Sequence, residues 1–190
     1  HTHVHTEPQP LPLTPNEYGE QPLAGLRNFA EINATMSVLT GVPEGYGDLP
    51  DTYQRLRTQL PSEENIEAFL TAHQVGVAQL SIEYCNALVE AERTNDGSIT
   101  PLFSGLNYNV GSDTITQQQW RDWVISPLFE RMVGNGQADQ PARADVEGEL
   151  ESLLFNTNLT QCSSDCVERT ATAAKAACAA MLGSATMLMQ

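Results

Sequence analysis

With 24 acidic against 9 basic residues, this 190-residue chain carries a formal charge of -15, which excludes attraction to nucleic acid or an anionic membrane through bulk electrostatics. The length suits one domain with an appended arm and is enough to bury a substantial core without an obligatory disulfide. No run of about 18 apolar residues occurs, and no basic stretch leads into an apolar one, so neither a spanning helix nor a signal peptide is expected; the missing initiator Met points to earlier cleavage or a longer parent chain.

Residues 1–22 hold Pro8, Pro10, Pro12 and Pro15 among polar residues. Proline fixes its own backbone angle and donates no amide, so this stretch reads as an extended, polyproline-like arm. Its tip carries His1, His3 and His5, three of the chain's four histidines. If His1 is a processed terminus, its amine, two amides and the His3 imidazole can wrap Cu or Ni in a square plane. Alternate imidazoles on an extended segment also point the same way, so all three can converge on one metal, or one can ligate a partner's haem. The bland reading is a solvated arm, or one that docks on a neighbouring subunit.

The body, residues 23–190, reads as helical. Leu26, Phe29, Ile32, Met36 and Leu39 recur at helical spacing until Gly41 and Pro43 stop them, giving a helix over 23–40. After a loop at 43–47, Asp51 is expected to cap a short helix to Gln59. Ser62 caps the next one, with Glu63 and Glu64 in its first turn. Thr71-Ala72-His73-Gln74 has the spacing of a capping box, so a break and restart is expected there. From Val75 to Val89 apolar residues fall on nearly every side, as in a helix at the centre of a bundle.

Asn95-Asp96-Gly97 ends that helix, and residues 97–113 form a loop expected to pack across the bundle. Thr114 or Thr116 caps a helix striped by Trp120, Trp123, Val124, Leu128 and Met132, which Pro127 should kink. A flexible connection follows at 134–142, then a short helix capped by Asp145, with Leu150, Leu153 and Leu154 inward. The last helix begins near Asp165 and runs through alanine-rich sequence.

The four cysteines are Cys85, Cys162, Cys166 and Cys178, with no CxxC or CxxCH among them. Two disulfides are the better reading, against four reduced core thiols. Small residues around Cys178 let another helix approach closely, which favours Cys85 to Cys178 and leaves Cys162 to Cys166 as a local bridge. Pairings of Cys85 with Cys162 or Cys166 remain open.

Other residues invite functional readings and have blander ones. His73 can act as a base or haem ligand, but with no partnered nucleophile or carboxylate motif beside it, capping or packing fits better. Glu83, Glu90 and Glu92, or Glu147, Glu149 and Glu151, suggest metal or acid/base pairs; on helices such spacings more often make a solvated face. Trp120 and Trp123 can stack a sugar, yet sit in an apolar stripe. Asn33-Ala34-Thr35 and Asn158-Leu159-Thr160 match the glycosylation sequon. Met181, Met187 and Met189 suggest soft-metal ligation or plain helix packing.

The strings from Phe29 to Pro43, Ala72 to Glu90 and Ala176 to Gln190 together resemble a helical region of large secreted bacterial proteins that often carry LamG modules. The resemblance implies an envelope or extracellular setting and a scaffolding role, and carries no catalytic residues over. The expectation is an all-α, irregular bundle of about six helices with an extended N-terminal arm and two disulfides. Functionally it is a non-enzymatic structural or interaction module, periplasmic, extracellular or at the cell surface. It would meet other protein subunits, copies of itself included, and no nucleic acid.

Overall fold

A computed structural model describes residues 28–60, 66–133 and 141–184, without the side chains of 66–70. The arm of residues 1–22 and the connection at 134–140 lie outside them, as do residues 185–190. Six helices and no strand occur among the described residues. They are α1 (Phe29–Thr40), α2 (Leu49–Gln59), α3 (Ile66–Arg93), α4, α5 and α6 (Cys166–Leu182). α4 joins Gln117–Trp120, a π turn at Arg121–Ile125 and Ser126–Met132. α5 joins Arg143–Glu151 to a π turn at Ser152–Asn156. The all-α bundle with two disulfides expected from the sequence therefore forms.

α1 starts at Phe29 rather than Leu23, because Asn28 takes the capping position and exchanges hydrogen bonds with Glu31. That reciprocal pairing satisfies two otherwise orphaned amides and fixes the helix start. α2 is preceded by Asp48, not Asp51, which falls in the first turn behind Pro50. The expected break at 71–74 is absent, and α3 runs unbroken for 28 residues, about 42 Å. Thr71 and Gln74 lie on its exposed side, where a capping-box spacing carries no structural force. The tolerance for Gly76 in mid-helix has a packing reason. A Cβ there would lie 3.3 Å from the Phe29 ring, so the missing side chain lets α1 settle on α3.

α3 lies against α1, α2 and α6, which makes it the central helix. It is not apolar all round in its environment, for Val75 and Ile82 are more than half exposed. Leu80, Tyr84, Cys85, Leu88 and Val89 form its fully buried side. α6 meets that side with Ala171, Ala174, Ala177 and Cys178, none of them exposed. The alanines bring the two backbones close and antiparallel. The pairing runs from Ser81 beside Gly183, through Cys85 and Cys178, to Glu90 with Lys175 and Arg93 with Glu168. A Cβ at Gly183 would stand 2.9 Å from the Ser81 hydroxyl, so only glycine fits there without a shift. Burial pushes the Glu90 carboxyl up, but Lys175 and Arg93 outweigh it and hold the group below the usual carboxylate value.

In α4 the proline expected to kink the helix is accommodated by widening the turn. The Ser126 amide donates to the Arg121 carbonyl, five residues back. This π turn precedes Pro127 and relieves the clash an α-helical ring would make with the carbonyl four residues earlier. α5 is entered from Ala142, with Asp145 in the first turn instead of at the cap. Thr116 caps α4 by a capping box with Gln119. Asp165 precedes α6 in a left-handed conformation, φ 54°, and makes no side-chain cap.

Both favoured bridges form: Cys85–Cys178, with Cα atoms 5.7 Å apart, and Cys162–Cys166, at 5.4 Å. They close stretches of 93 and 4 residues, for which restriction of the unfolded chain contributes about 4.5 and about 2 kcal/mol respectively. Replacing Cys85 and Cys178 together by alanine should therefore lower unfolding free energy more than replacing Cys162 and Cys166, as read by denaturant midpoints. An equal or reversed order would show that the long bridge is not the dominant staple.

Candidate functional site

The loop from Thr94 to Thr116 is held down from α3. One Glu92 carboxylate oxygen accepts the amides of Leu102 and Phe103, at 2.5 and 3.0 Å. The other accepts the Tyr108 hydroxyl at 2.7 Å. Burial, then the adjacent Glu92 charge, pushes the Tyr108 phenol far up, so it stays a donor. Ile99, Leu102, Phe103 and Leu106 are thereby laid into the core, as the loop was expected to pack. Gly105 belongs to the same arrangement, since a Cβ there would lie 2.6 Å from the Trp123 ring.

The end of this loop meets the start of α6. The Thr170 hydroxyl, fully buried, donates to the Val110 carbonyl at 2.7 Å. A Cβ on Gly111 would fall 2.9 Å from Cys166 Cβ. A short 3-10 turn, Ser112–Thr114, follows and leads into α4. Between this turn, α4, the end of α5 and the Cys162–Cys166 bridge lies a cleft of about 360 Å³. Ser112, Asp113, Gln117, Trp120, Phe155 and Gln161 line it, with Ile115 and Cys162 adding apolar surface. Ser112 and Trp120 are each 1 % exposed, and Ser112 Oγ and Trp120 Nε1 find no hydrogen-bond partner among the described residues. Buried polar groups are nearly always paired, so these two sealed atoms are exceptions in the packing beside the cleft and are not groups presented to it.

Asp113, Cys162 and Cys166 bring one ligand-type atom each within 4.8 Å of one another. Both sulfurs are spent in the bridge, and a metal would need them as thiolates. In the oxidised protein the cluster therefore offers a cation only the Asp113 carboxylate.

Among the described residues, those singled out in the sequence do not converge. His1, His3 and His5 lie outside the described residues, as do Met187 and Met189. His73 is 2 % exposed and packs edge-on to Phe29, ring centres 5.8 Å apart, while Phe29 stacks on Tyr53 of α2. Glu90 and Glu92 serve the seam and the loop. Glu147 and Glu151 pair with Arg143 and Arg121, both at 2.6 Å. Asn33 is buried, donating to Glu44 at 2.6 Å and accepting from the Tyr84 hydroxyl at 2.9 Å, so its sequon is closed in the fold. Asn158 is exposed on a turn with φ 59°. Met181 is in the core. Sequence reasoning missed the cleft because Ser112, Gln117, Phe155 and Gln161 come from separate segments and share no motif.

Searches against protein-family models, characterised proteins and solved structures find no match, and nothing in them links the chain to LamG-bearing secreted proteins.

Burial holds the His73 imidazole below its ordinary value of 6.5. As pH falls through that value the unfolded chain takes up a proton that the folded chain refuses. The stability carried by neutral His73 is thus complete above about pH 6.5 and declines below it until the folded group also titrates. His73→Phe should flatten the dependence of the urea midpoint on pH between about 7 and 5. An unchanged slope would remove His73 as its source.

Proposed function

We propose that this protein is an extracytoplasmic structural and interaction module of a larger surface or extracellular assembly. It meets its partners, copies of itself included, through the Pro-rich arm of residues 1–22. The observation that carries this reading is the pair of disulfides, one of them sealed in the core. Such bridges persist in oxidising compartments and are rare in the cytosol. No described helix is long and apolar enough to cross a membrane, which is compatible with that setting.

An arm with four prolines in its first fifteen residues has few amide donors for a helix of its own and is suited to lie along a groove or sheet edge of a neighbour. The stapled bundle supplies a rigid base from which such a segment can project. Removing residues 1–22 should abolish assembly, measured by light scattering on a sizing column, while the helical circular-dichroism signal of the body stays the same. A full chain that remains monomeric, or assembly retained without the arm, would contradict the reading.

A further inference from the structure

A second groove, apolar and of about 370 Å³, runs between α5 and the end of α6. Val146, Leu150 and Leu153 line it from one face of α5, at the spacing of an inward-facing helical stripe. Val146 and Leu153 are only partly buried. α6 meets this stripe with Met181 and with Ala180, an exposed residue too small to fill the space. Glu149 is the one charged residue among the described lining.

α6 stops at this groove. The Gly183 amide donates to the Ala179 carbonyl at 2.9 Å and the Ser184 amide to the Met181 carbonyl at 3.2 Å, which tightens the last turn. Ser184 itself lies on the groove wall, and the sequence continues Ala185-Thr186-Met187-Leu188-Met189-Gln190. We propose that residues 185–190 turn back from Ser184 and dock the Met187-Leu188-Met189 run in this groove, so that the chain covers its own α5 stripe.

Reach and composition select this occupant. Met187 stands three residues past Ser184, about 10 Å of extended chain, so the apolar run begins beside the groove. No charged residue follows Lys175, so docking brings no like charge against Glu149. Methionine is flexible and unbranched, which suits it to irregular apolar space. The neighbouring stretch between Val133 and Pro141 reads Gly134-Asn135-Gly136-Gln137-Ala138-Asp139-Gln140 and offers no large apolar side chain. The Pro-rich arm joins the body at α1, which packs on α3 and does not line the groove. A second copy of the chain would need an interface of about 800 Å² on each side, whereas a groove of this volume admits a few side chains. The docking is independent of the assembly role of the arm.

Methyl NMR on the oxidised full chain tests the proposal. With methionine, valine and leucine methyls 13C-labelled in the same chain, Met187 or Met189 should give through-space cross-peaks to Val146 or Leu153, the methionine signals being assigned by Met187→Leu and Met189→Leu. In an equal mixture of chains labelled only at methionine and chains labelled only at valine and leucine, those cross-peaks should vanish. Ala180→Phe, at an exposed position, puts a ring into the groove. It should abolish the cross-peaks and return the Met187 and Met189 methyls to random-coil shifts while the helical circular-dichroism signal is kept. Cross-peaks missing from the wild-type chain would overturn the proposal. Cross-peaks in the mixed sample would overturn it too, giving the groove to a second copy, as would their survival in folded Ala180→Phe.

Discussion

The antiparallel seam between α3 and α6 is the constraint on which the other elements depend. Alanines on α6 bring the two backbones close enough for Cys85 and Cys178 to bridge in a fully buried position. Charged pairs clamp one end of the seam, where Glu90 meets Lys175 and Arg93 meets Glu168 in a two-pronged contact. Exposed ion pairs of this kind contribute little each; their value lies in fixing register. The packed alanines and the long-range covalent link carry the larger share, through burial of apolar area and restriction of the unfolded chain.

From that seam the rest is hung in two directions. On one side α1 and α2 cover α3 through the Tyr53, Phe29 and His73 rings and through the Tyr84–Asn33–Glu44 chain of hydrogen bonds. Burial raises the Tyr84 phenol, which keeps it a donor to Asn33. On the other side Glu92 at the end of α3 gathers the loop, and Thr170 of α6 secures the loop's far end through Val110. The cleft begins just past the second of these anchorages, where Ser112 and Asp113 follow Val110 in the chain. Its position follows from the seam, although none of its lining residues lies on α3.

Helices and bridges were legible in the sequence because their causes are local or compositional. Periodicity locates α1 and α3, proline and glycine punctuate them, and the small-residue face of α6 points to Cys85 as the partner of Cys178. Errors fell where one local signal competed with another. Asn28 with Glu31 outcompeted Leu23 as a helix start, and Asp48 and Ala142 displaced Asp51 and Asp145 as the residues before their helices. The capping-box spacing at Thr71 gave way to continuous packing along α3, and Pro127 is absorbed by a π turn that no short pattern announces. The cleft depends on residues brought together only by tertiary packing: Ser112 falls in a loop and Trp120 in an apolar helical stripe, and neither position alone marks it.

Amide hydrogen exchange on the oxidised protein tests the primacy of the seam most directly. If the α3–α6 contact is the last structure to open, amides around Leu80–Leu88 and Ala171–Cys178 will be the slowest and will exchange only through global unfolding. Their protection will then equal the full unfolding free energy measured by denaturant. Seam amides that open locally, ahead of those in α1 or α5, would contradict it.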